Sequence, residues 1–243
     1  MKIYVFIPSR YGSSRFPGKP LALIRGVPMI QHVYERARNC PKIDGVYVAT
    51  DDERIRRRVL DFGGQVLMTR KNHPSGTDRI AEAARLIHAG GEDVIVNIQG
   101  DQPFFDPSII STLVAPFRQD ETIHMSTLKF RISDKSELSN PNHVKVVTDR
   151  DGFALYFSRA AIPFYRDGDS AGEHFKHLGI YAYRMKFLKA FVELPIGHLE
   201  SAEKLEQLRA LENGYRIKVE ETSLDSVEVD TPDDIRRVEA LIE

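Results

Sequence analysis

The sequence is poor in the features that mark several classes of protein. It has a single cysteine, Cys40, which excludes an intramolecular disulfide and a cysteine metal cluster. Its 34 Lys and Arg residues nearly balance its 35 Asp and Glu residues, so net charge gives no reason to expect nucleic acid or an anionic membrane as a partner. The apolar run at residues 3–8 is too short for a membrane span or a signal peptide, and we therefore expect a cytoplasmic protein without membrane insertion.

The length and apolar content suit one large α/β domain or two small ones. The chain has 243 residues, 42% of them hydrophobic, and no internal repeat or low-complexity linker, so any subdivision is expected to be lobe-like. In the first half, strand and helix patterns alternate, which predicts a doubly wound, mostly parallel sheet covered on both faces. The predicted strands are residues 3–8, 46–50, 65–69 and 94–99, and the predicted helices are residues 29–38, 52–62 and 77–88.

The second half loses this alternation and predicts an antiparallel or mixed extension of the sheet. The segments predicted to be extended are residues 125–130, 144–149, 154–158 and 178–183. The turn at residues 149–152 is typical of a hairpin. Helices are predicted at residues 185–192, at residues 201–213 with an apolar stripe from Ala202 to Leu211, and, after one more strand, from Thr231 onward.

The loop after the first strand has the composition of a phosphate-binding cradle. Its glycines allow close backbone approach, its serines add hydroxyl donors, and its Arg and Lys residues supply positive charge. These residues are Gly12 and Gly18, Ser13 and Ser14, and Arg10, Arg15 and Lys19. The loop matches neither the common phosphate-loop motif nor Gly-x-Gly-x-x-Gly. An exposed basic loop is the alternative, but the concentration of these residues after a strand favours a nucleotide-binding site.

Two carboxylates follow predicted strands, where a doubly wound sheet binds its ligands. Asp101 comes directly after Gln99 and Gly100 at the end of a buried strand, and Asp230 lies between a short apolar strand and the last helix. Hard oxygen ligands of this kind suit Mg²⁺, which takes one or two carboxylates together with phosphate oxygens. A helix N-cap is an equally good role for Asp230 from the sequence, and capping is the favoured role for Asp51 and Asp52.

Residues 75–79, Ser-Gly-Thr-Asp-Arg, form a further turn into a helix. Their backbone donors and the side chain of Arg79 are expected to lie near a bound nucleotide. A simple helix cap explains Ser75 and Thr77 equally well.

Taken together, the motifs resemble those of the CMP-Kdo synthetases, which are 3-deoxy-manno-octulosonate cytidylyltransferases. The resemblance extends over nearly the full length and is carried by residues 8–19, 47–51, 75–79, 97–101, 154–159, 177–181, 205–209 and 229–232. It implies a nucleotidyltransferase (GT-A-like) fold over residues 1–243, with a nucleotide-binding half at about 1–120 and a smaller mixed-sheet lobe for sugar binding and dimerisation at about 121–225. The basic loop alone would indicate only the wider nucleotidyltransferase class, which includes enzymes acting on sialate.

The resemblance also implies roles for individual residues. The residues implied to bind CTP are Arg10, Ser13, Arg15, Lys19, Gly76, Arg79 and Gln99. Asp101 and Asp230 are implied to hold Mg²⁺, and these two with Lys19 and Arg10 form the implied catalytic group. The residues implied to face the sugar acid are Arg159, His177, Tyr181, Glu206 and Gln207. Spacing alone predicts something different for the last group, namely a core aromatic at Tyr181 and the polar face of a helix at Glu206 and Gln207.

Two positions depart from the pattern of the Kdo enzymes. Gln102 stands where we expect Glu, and His143 stands where a small residue is more usual. Both resemble the branch that activates 8-amino-Kdo, so the implied acceptor is Kdo or 8-amino-Kdo, used for lipopolysaccharide synthesis by a homodimeric enzyme. The remaining alternatives are a nucleotidyltransferase for another sugar acid such as sialate, a non-catalytic nucleotide-binding protein, and a dinucleotide-dependent oxidoreductase. The missing Gly-x-Gly-x-x-Gly disfavours the last of these.

Overall fold

The computed structural model describes residues 1–12, 16–167 and 172–241. Its strands follow the apolar runs of the sequence closely. They are β1 (Ile3–Ser9), β2 (Leu23–Ile24), β3 (Val27–Pro28), β4 (Gly45–Thr50), β5 (Val66–Met68), β6 (Val94–Asn97), β7 (Met125–Arg131), β8 (Lys145–Thr148), β9 (Ala154–Ser158), β10 (Phe175–Arg184) and β11 (Lys218–Thr222). The short hairpin of β2 and β3 was not predicted.

The main sheet has the order β11-β7-β10-β6-β1-β4-β5, and it draws strands from both halves of the chain. Strands β6, β1, β4 and β5 are parallel to one another. Strand β10 is antiparallel to both of its neighbours, β6 and β7, while β11 again runs parallel to β7. The α/β class and the mixed extension predicted for the second half are therefore confirmed.

The two faces of the sheet carry separate apolar cores. Along β1, Val5 and Ile7 face one core and Phe6 faces the other, as the two-residue period of a strand requires. Helices α1 (Met29–Arg38), α2 (Glu53–Asp61) and α4 (Ser108–Val114) cover the first face. Helices α3 (Gly76–Leu86) and α7 (Met185–Phe191) cover the second, so that the sheet is doubly wound.

The predicted hairpin at residues 149–152 is confirmed. Strands β8 and β9 pair antiparallel, and β8 also joins the edge of β10 through Lys145 and Lys176. Gly152 has φ of 76°, a conformation that glycine adopts without strain. The hairpin forms a small lobe beside the main sheet.

The helix predicted at residues 201–213 is wrong. Two short helices, α8 (His198–Glu203) and α9 (Leu208–Glu212), stand in its place. Lys204 separates them because its left-handed conformation, with φ of 55°, cannot continue an α-helix. Ala202 is consequently exposed rather than part of the apolar stripe, while Leu205 and Leu208 are buried.

The remaining helices are short or terminal. They are α5 (Pro116–Gln119), α6 (Lys135–Ser139) and α10 (Pro232–Glu239). Asp52 caps α2 and accepts a hydrogen bond from the backbone of Arg54, as predicted. Among the described residues, no helix combines the length and the apolar character that a membrane crossing requires.

Candidate active site

Two adjoining cavities open at the carboxyl edge of β1 and β6. The smaller cavity, of about 270 Å³, is lined by Pro8, Ser9, Arg10, Lys19, Pro20, His73, Pro74, Ser75, Gly76, Arg79, Gln99, Gly100 and Asp101. The larger cavity, of about 860 Å³, extends towards β10, and its lining includes Arg159, His177, Tyr181, Gln207, Glu228 and Asp230. Gln99 and Asp101 line both cavities, so a ligand in one can meet a ligand in the other at this point.

Lys19 lies where the two cavities meet. Its ammonium donates to Oδ2 of Asp101 at 2.7 Å and to the carbonyl oxygen of Val229 at 2.9 Å, and it lies 3.6 Å from Oδ1 of Asp230. Gly18 before it has φ of 74°, and a Cβ there would come within 3.1 Å of the Tyr11 ring. Glycine at position 18 therefore sets the backbone that aims Lys19 at the two carboxylates.

The two aspartates converge although they are far apart in sequence. The backbone N–H of Val229 donates to the carbonyl oxygen of Asp101 at 2.9 Å, which joins the two segments directly. Gly100 permits this arrangement, because a Cβ at that position would lie 2.8 Å from Oγ of Ser9. The close backbone approach expected at Gly100 is thus present.

The N-cap role that the sequence offered for Asp230 belongs to its neighbour. Thr231 is the N-cap of α10, and it forms a capping box with Asp234. The carboxylate of Asp234 accepts hydrogen bonds from the backbone N–H groups of Asp230 and Thr231 at 3.0 and 2.9 Å. The helix is therefore capped without the side chain of Asp230, which lines the larger cavity instead.

The charges at this point fit a divalent cation. The carboxylates of Asp101 and Asp230 lie together at the ammonium of Lys19, and their oxygens are of the type that Mg²⁺ prefers. In the described parts of the chain, no group of three or more His, Cys, Asp or Glu side chains could hold a metal ion. The pair is nevertheless sufficient for Mg²⁺, which usually completes its coordination with water and substrate phosphate.

The other residues implied to bind nucleotide lie around the smaller cavity. Arg10 is exposed at its rim, and Gly76 begins α3 beneath it, next to Pro8 and Gln99. Ser13 and Arg15 lie outside the described residues. Arg79 lines the cavity but is buried.

The guanidinium of Arg79 is already engaged by protein groups. It donates to Oγ1 of Thr69 at 2.7 Å and lies 2.9 Å from the carboxylate of Asp51. Asp51, expected to act as a helix cap, instead pairs with this arginine. The pair fixes the wall of the smaller cavity between β4, β5 and α3.

The larger cavity contains four of the five residues implied to face a sugar. Arg159 lines it and donates three hydrogen bonds to carbonyl oxygens, those of Glu203 at 2.7 Å, Pro141 at 2.8 Å and Lys204 at 3.4 Å. These three acceptors are neutral, but the carboxylate of Glu203 also lies beside Arg159 and accepts from its backbone N–H at 2.9 Å. Gln207 is 3% exposed, and its Nε2 has no hydrogen-bond partner in the described residues.

Tyr181 and His177 lie side by side on β10, with ring centroids 5.3 Å apart. Tyr181 packs against the second apolar core, as spacing predicted, and it also lines the cavity; its enclosed setting raises the pKa of its hydroxyl. The hydroxyl of Thr127 donates to the carbonyl oxygen of Ile180 at 2.8 Å, which leaves it free to accept from Nε2–H of His177 at 2.8 Å. This hydrogen bond fixes the orientation of the ring, and burial favours its neutral form.

Burial lowers the pKa of His177 to about 3, and this predicts a pH dependence of stability. The imidazole takes up a proton at about 6.5 in the unfolded chain, so stability is lost as pH falls from 6.5 towards 3. At pH 5 we expect the loss to reach about 1–2 kcal/mol. Urea unfolding at pH 7 and pH 5 measures it: His177→Gln should lose less stability than the wild type over this interval, and equal losses would contradict the prediction.

Glu206, the fifth residue implied to face a sugar, is partly buried and does not line either cavity. It accepts a hydrogen bond from the hydroxyl of Thr77, near the start of α3. Burial raises the pKa of Glu206, and Arg209 lies 3.7 Å from its other oxygen. Glu206 therefore connects the helix beneath the smaller cavity to the segment that carries Gln207.

Sequence reasoning missed a second group of charges in the larger cavity. Lys176 lies 2.8 Å from Asp225 and 3.0 Å from Glu137, and His143 lies 3.3 Å from Glu137. Glu228 also lines the cavity, and its enclosed position and then the charges of Asp101 and Asp230 raise the pKa of its carboxyl. The two-residue period of β10 could have predicted that Lys176 lies on the same face as the cavity. Nothing in the sequence indicates that Glu137 and Asp225 both lie beside it.

A doubly wound sheet with a lysine and two carboxylates between two polar cavities fits a nucleotide-dependent transferase, and the comparisons with known proteins identify the class. Residues 4–219 match the cytidylyltransferase family, and the chain belongs to it. It is 56% identical to a 3-deoxy-manno-octulosonate cytidylyltransferase 2 from Hydrogenovibrio crunogenus, over 100% of this chain and 98% of the relative. It is also 56% identical to an 8-amino-3,8-dideoxy-manno-octulosonate cytidylyltransferase from Shewanella amazonensis, over 98% of each chain.

A solved structure gives the same assignment. The structure of a CMP:2-keto-3-deoxy-manno-octonic acid synthetase complexed with CTP superposes with a TM-score of 0.94. It is 44% identical in sequence and covers 100% of this chain and 98% of its own. The nucleotidyltransferase fold expected from the sequence is thereby confirmed.

Proposed function

We propose that the protein transfers CMP from CTP to the anomeric hydroxyl of a 3-deoxy-manno-octulosonate sugar acid, Kdo or its 8-amino analogue. One observation carries this proposal: the smaller and larger cavities meet at Asp101, with the ammonium of Lys19 between Asp101 and Asp230. In this assignment CTP occupies the smaller cavity and the sugar acid the larger. Relatives with either acceptor match the chain equally well.

The reaction forms one bond at phosphorus and breaks one. The anomeric hydroxyl gives up its proton to solvent as its oxygen attacks the α-phosphorus of CTP, the bond from that phosphorus to the bridging oxygen breaks, and pyrophosphate leaves with the electron pair. Phosphoryl transfer depends mainly on positioning and charge neutralisation. Lys19 and Arg10 line the smaller cavity and are placed to neutralise charge on the phosphates.

Asp101 and Asp230 are the residues that would hold magnesium. When bound, the metal supplies Lewis acidity and positive charge at the phosphates and the attacking hydroxyl. The two carboxylates keep that charge at the boundary between the cavities. Gln99, which lines both, is placed to contact the nucleotide on one side and the acceptor on the other.

Pyrophosphate release tests the proposal. The protein is mixed with CTP and Mg²⁺, and Kdo, 8-amino-Kdo or sialate is added in separate reactions. We expect release with a Kdo-type acceptor and none without an acceptor. Release with sialate alone would establish a different nucleotidyltransferase, and CTP binding without release in any reaction would establish a non-catalytic nucleotide-binding protein.

Arg159→Ala is expected to raise the KM for the sugar acid much more than the KM for CTP. The guanidinium holds positive charge at the wall of the larger cavity, where it can attract the C1 carboxylate of the acceptor. It also joins Pro141 to Glu203 and Lys204, so its loss loosens that wall. Steady-state kinetics give both constants. Equal increases in the two, with a lower melting temperature, would reduce Arg159 to a structural role.

We further propose that the enzyme is a cytoplasmic homodimer, as the family resemblance implies. Light scattering coupled to size exclusion measures the mass in solution. A mass near 27.6 kDa would identify a monomer and exclude the dimer.

A further inference from the structure

Glu228 differs from every other carboxylate that lines the larger cavity. Asp101 and Asp230 face Lys19, and Glu137 and Asp225 face Lys176. Asp234 accepts backbone hydrogen bonds at the start of α10. The carboxylate of Glu228 accepts instead from an uncharged amide, Nε2 of Gln102 at 3.1 Å, and within the described residues no cation lies at ion-pair distance from it.

Gln102 and Glu228 form a hydrogen-bonded pair in the wall of the larger cavity. Gln102 is fully buried, and the one hydrogen bond that its side chain makes in the described residues is the donation from Nε2 to Glu228. Glu228 itself is exposed to the cavity. Gly179 on β10 leaves space beside it, because even a Cβ there would approach no closer than 3.7 Å to Oε1 of Glu228.

The identity of residue 102 follows from this contact. A glutamate at 102 would place a second carboxylate against Glu228, and two such groups repel unless one is protonated. Glutamine instead donates a hydrogen bond, which favours the ionised carboxylate of Glu228 against the enclosed position and the neighbouring carboxylates that raise its pKa. Glu228 lines the larger cavity and not the smaller one, and the proposed function assigns the larger cavity to the acceptor.

The acceptors of the relatives differ at one position that a carboxylate can distinguish. Their names specify manno-octulosonate and 8-amino-3,8-dideoxy-manno-octulosonate, so an amine replaces the hydroxyl at C8. A primary amine is protonated at neutral pH. Its charge-assisted hydrogen bond to a carboxylate is roughly twice as strong as a neutral one.

We propose that Gln102 and Glu228 form the subsite for the C8 ammonium and make the protein specific for the 8-amino sugar acid. This inference rests on the proposed function, because it names the acceptor of that reaction. Glu228 supplies the charge and is the specificity-determining residue. Gln102 is a positioning residue that acts through Glu228.

Competition kinetics with Kdo and 8-amino-Kdo test the subsite. The wild type is expected to have a higher kcat/KM for 8-amino-Kdo than for Kdo. Glu228→Gln keeps the shape but removes the charge, and we expect the ratio of the two kcat/KM values to fall about tenfold or more. Gln102→Leu should lower the same ratio less, because the carboxylate is still present but no longer held.

Asp225→Asn is the matched control. Asp225 lines the same cavity but is paired with Lys176, so its removal should leave the ratio of the two kcat/KM values unchanged. Glu228→Asp, which keeps the charge, should retain a preference for the 8-amino sugar and guards against a folding defect in Glu228→Gln. Melting temperature and CTP binding are measured for each variant.

The outcomes separate this inference from the function on which it rests. Absence of pyrophosphate release with either sugar overturns the proposed function. If pyrophosphate is released with both sugars but the wild type prefers Kdo, the subsite is overturned and the proposed function stands. The same holds if Glu228→Gln leaves the ratio of the two kcat/KM values unchanged. If the ratio of the two kcat/KM values changes in Asp225→Asn and not in Glu228→Gln, the subsite is also overturned. The C8 group of the sugar would then be assigned to the charges around Lys176.

Discussion

Asp101→Asn is expected to lower turnover by about a thousandfold or more while leaving the fold intact, because a metal's charge stabilisation is worth several kcal/mol. The substitution removes a hard anionic ligand and preserves the shape of the side chain. It also removes the closest partner of Lys19, at 2.7 Å. Pyrophosphate release at saturating CTP and sugar measures the effect, and circular dichroism checks the fold.

Asp230→Asn should resemble Asp101→Asn, since both carboxylates face the same ammonium. The matched control is Asp234→Asn in the same segment. Asp234 completes the capping box of α10, so its loss should cost about 1 kcal/mol of stability and little activity. If Asp230→Asn behaved like this control, with a lower melting temperature and near-normal turnover, the metal assignment would be wrong.

Much of the fold was predictable because local sequence and tertiary packing agree. The run at β6 is apolar at three of its four positions, and all four are buried, as expected for a strand covered on both faces. The alternation of strands and helices then predicted that ligands bind at the carboxyl edge of the parallel strands. Asp101 and Lys19 could be found in this way, since each follows a strand along the chain.

The broken helix shows where this reasoning stops. Leu205 and Leu208 are buried, as a helical stripe predicts, but the backbone at Lys204 turns into the left-handed region. The apolar period cannot detect such a turn, because non-glycine residues rarely adopt it. Without the turn, Glu206 would face solvent; with it, Glu206 accepts a hydrogen bond from Thr77, 129 positions away.

The pairing of charges was also beyond prediction from the sequence. Gln102 was visible only as a departure from a family pattern, and its contact with Glu228 joins residues 126 positions apart. The same holds for Lys176 on β10 and Asp225 after β11, which lie 2.8 Å apart although β7 separates the two strands in the sheet. Local patterns specify which residues are polar, whereas the sheet order decides which of them meet.

Lys19→Ala is expected to lower turnover by roughly a hundredfold or more if its charge is used mainly in the transition state. The ammonium is 2.7 Å from Asp101 and 3.6 Å from Asp230, and it lines the smaller cavity, where we propose that the phosphates bind. Its removal leaves two carboxylates facing each other and takes away a cation from the leaving pyrophosphate. Steady-state kinetics with CTP measure both kcat and KM.

Lys19→Arg should rescue this loss poorly. A compact ammonium fits between Asp101 and the carbonyl oxygen of Val229, whereas a planar guanidinium requires a wider space. Lys176→Ala is the matched control, since Lys176 is about as enclosed as Lys19 and also faces two carboxylates, but it lines only the larger cavity. The control should change the KM for the sugar and leave that for CTP unaltered. A raised KM for CTP with unchanged kcat in Lys19→Ala would assign Lys19 to ground-state binding, because a group that acts in the transition state must lower kcat.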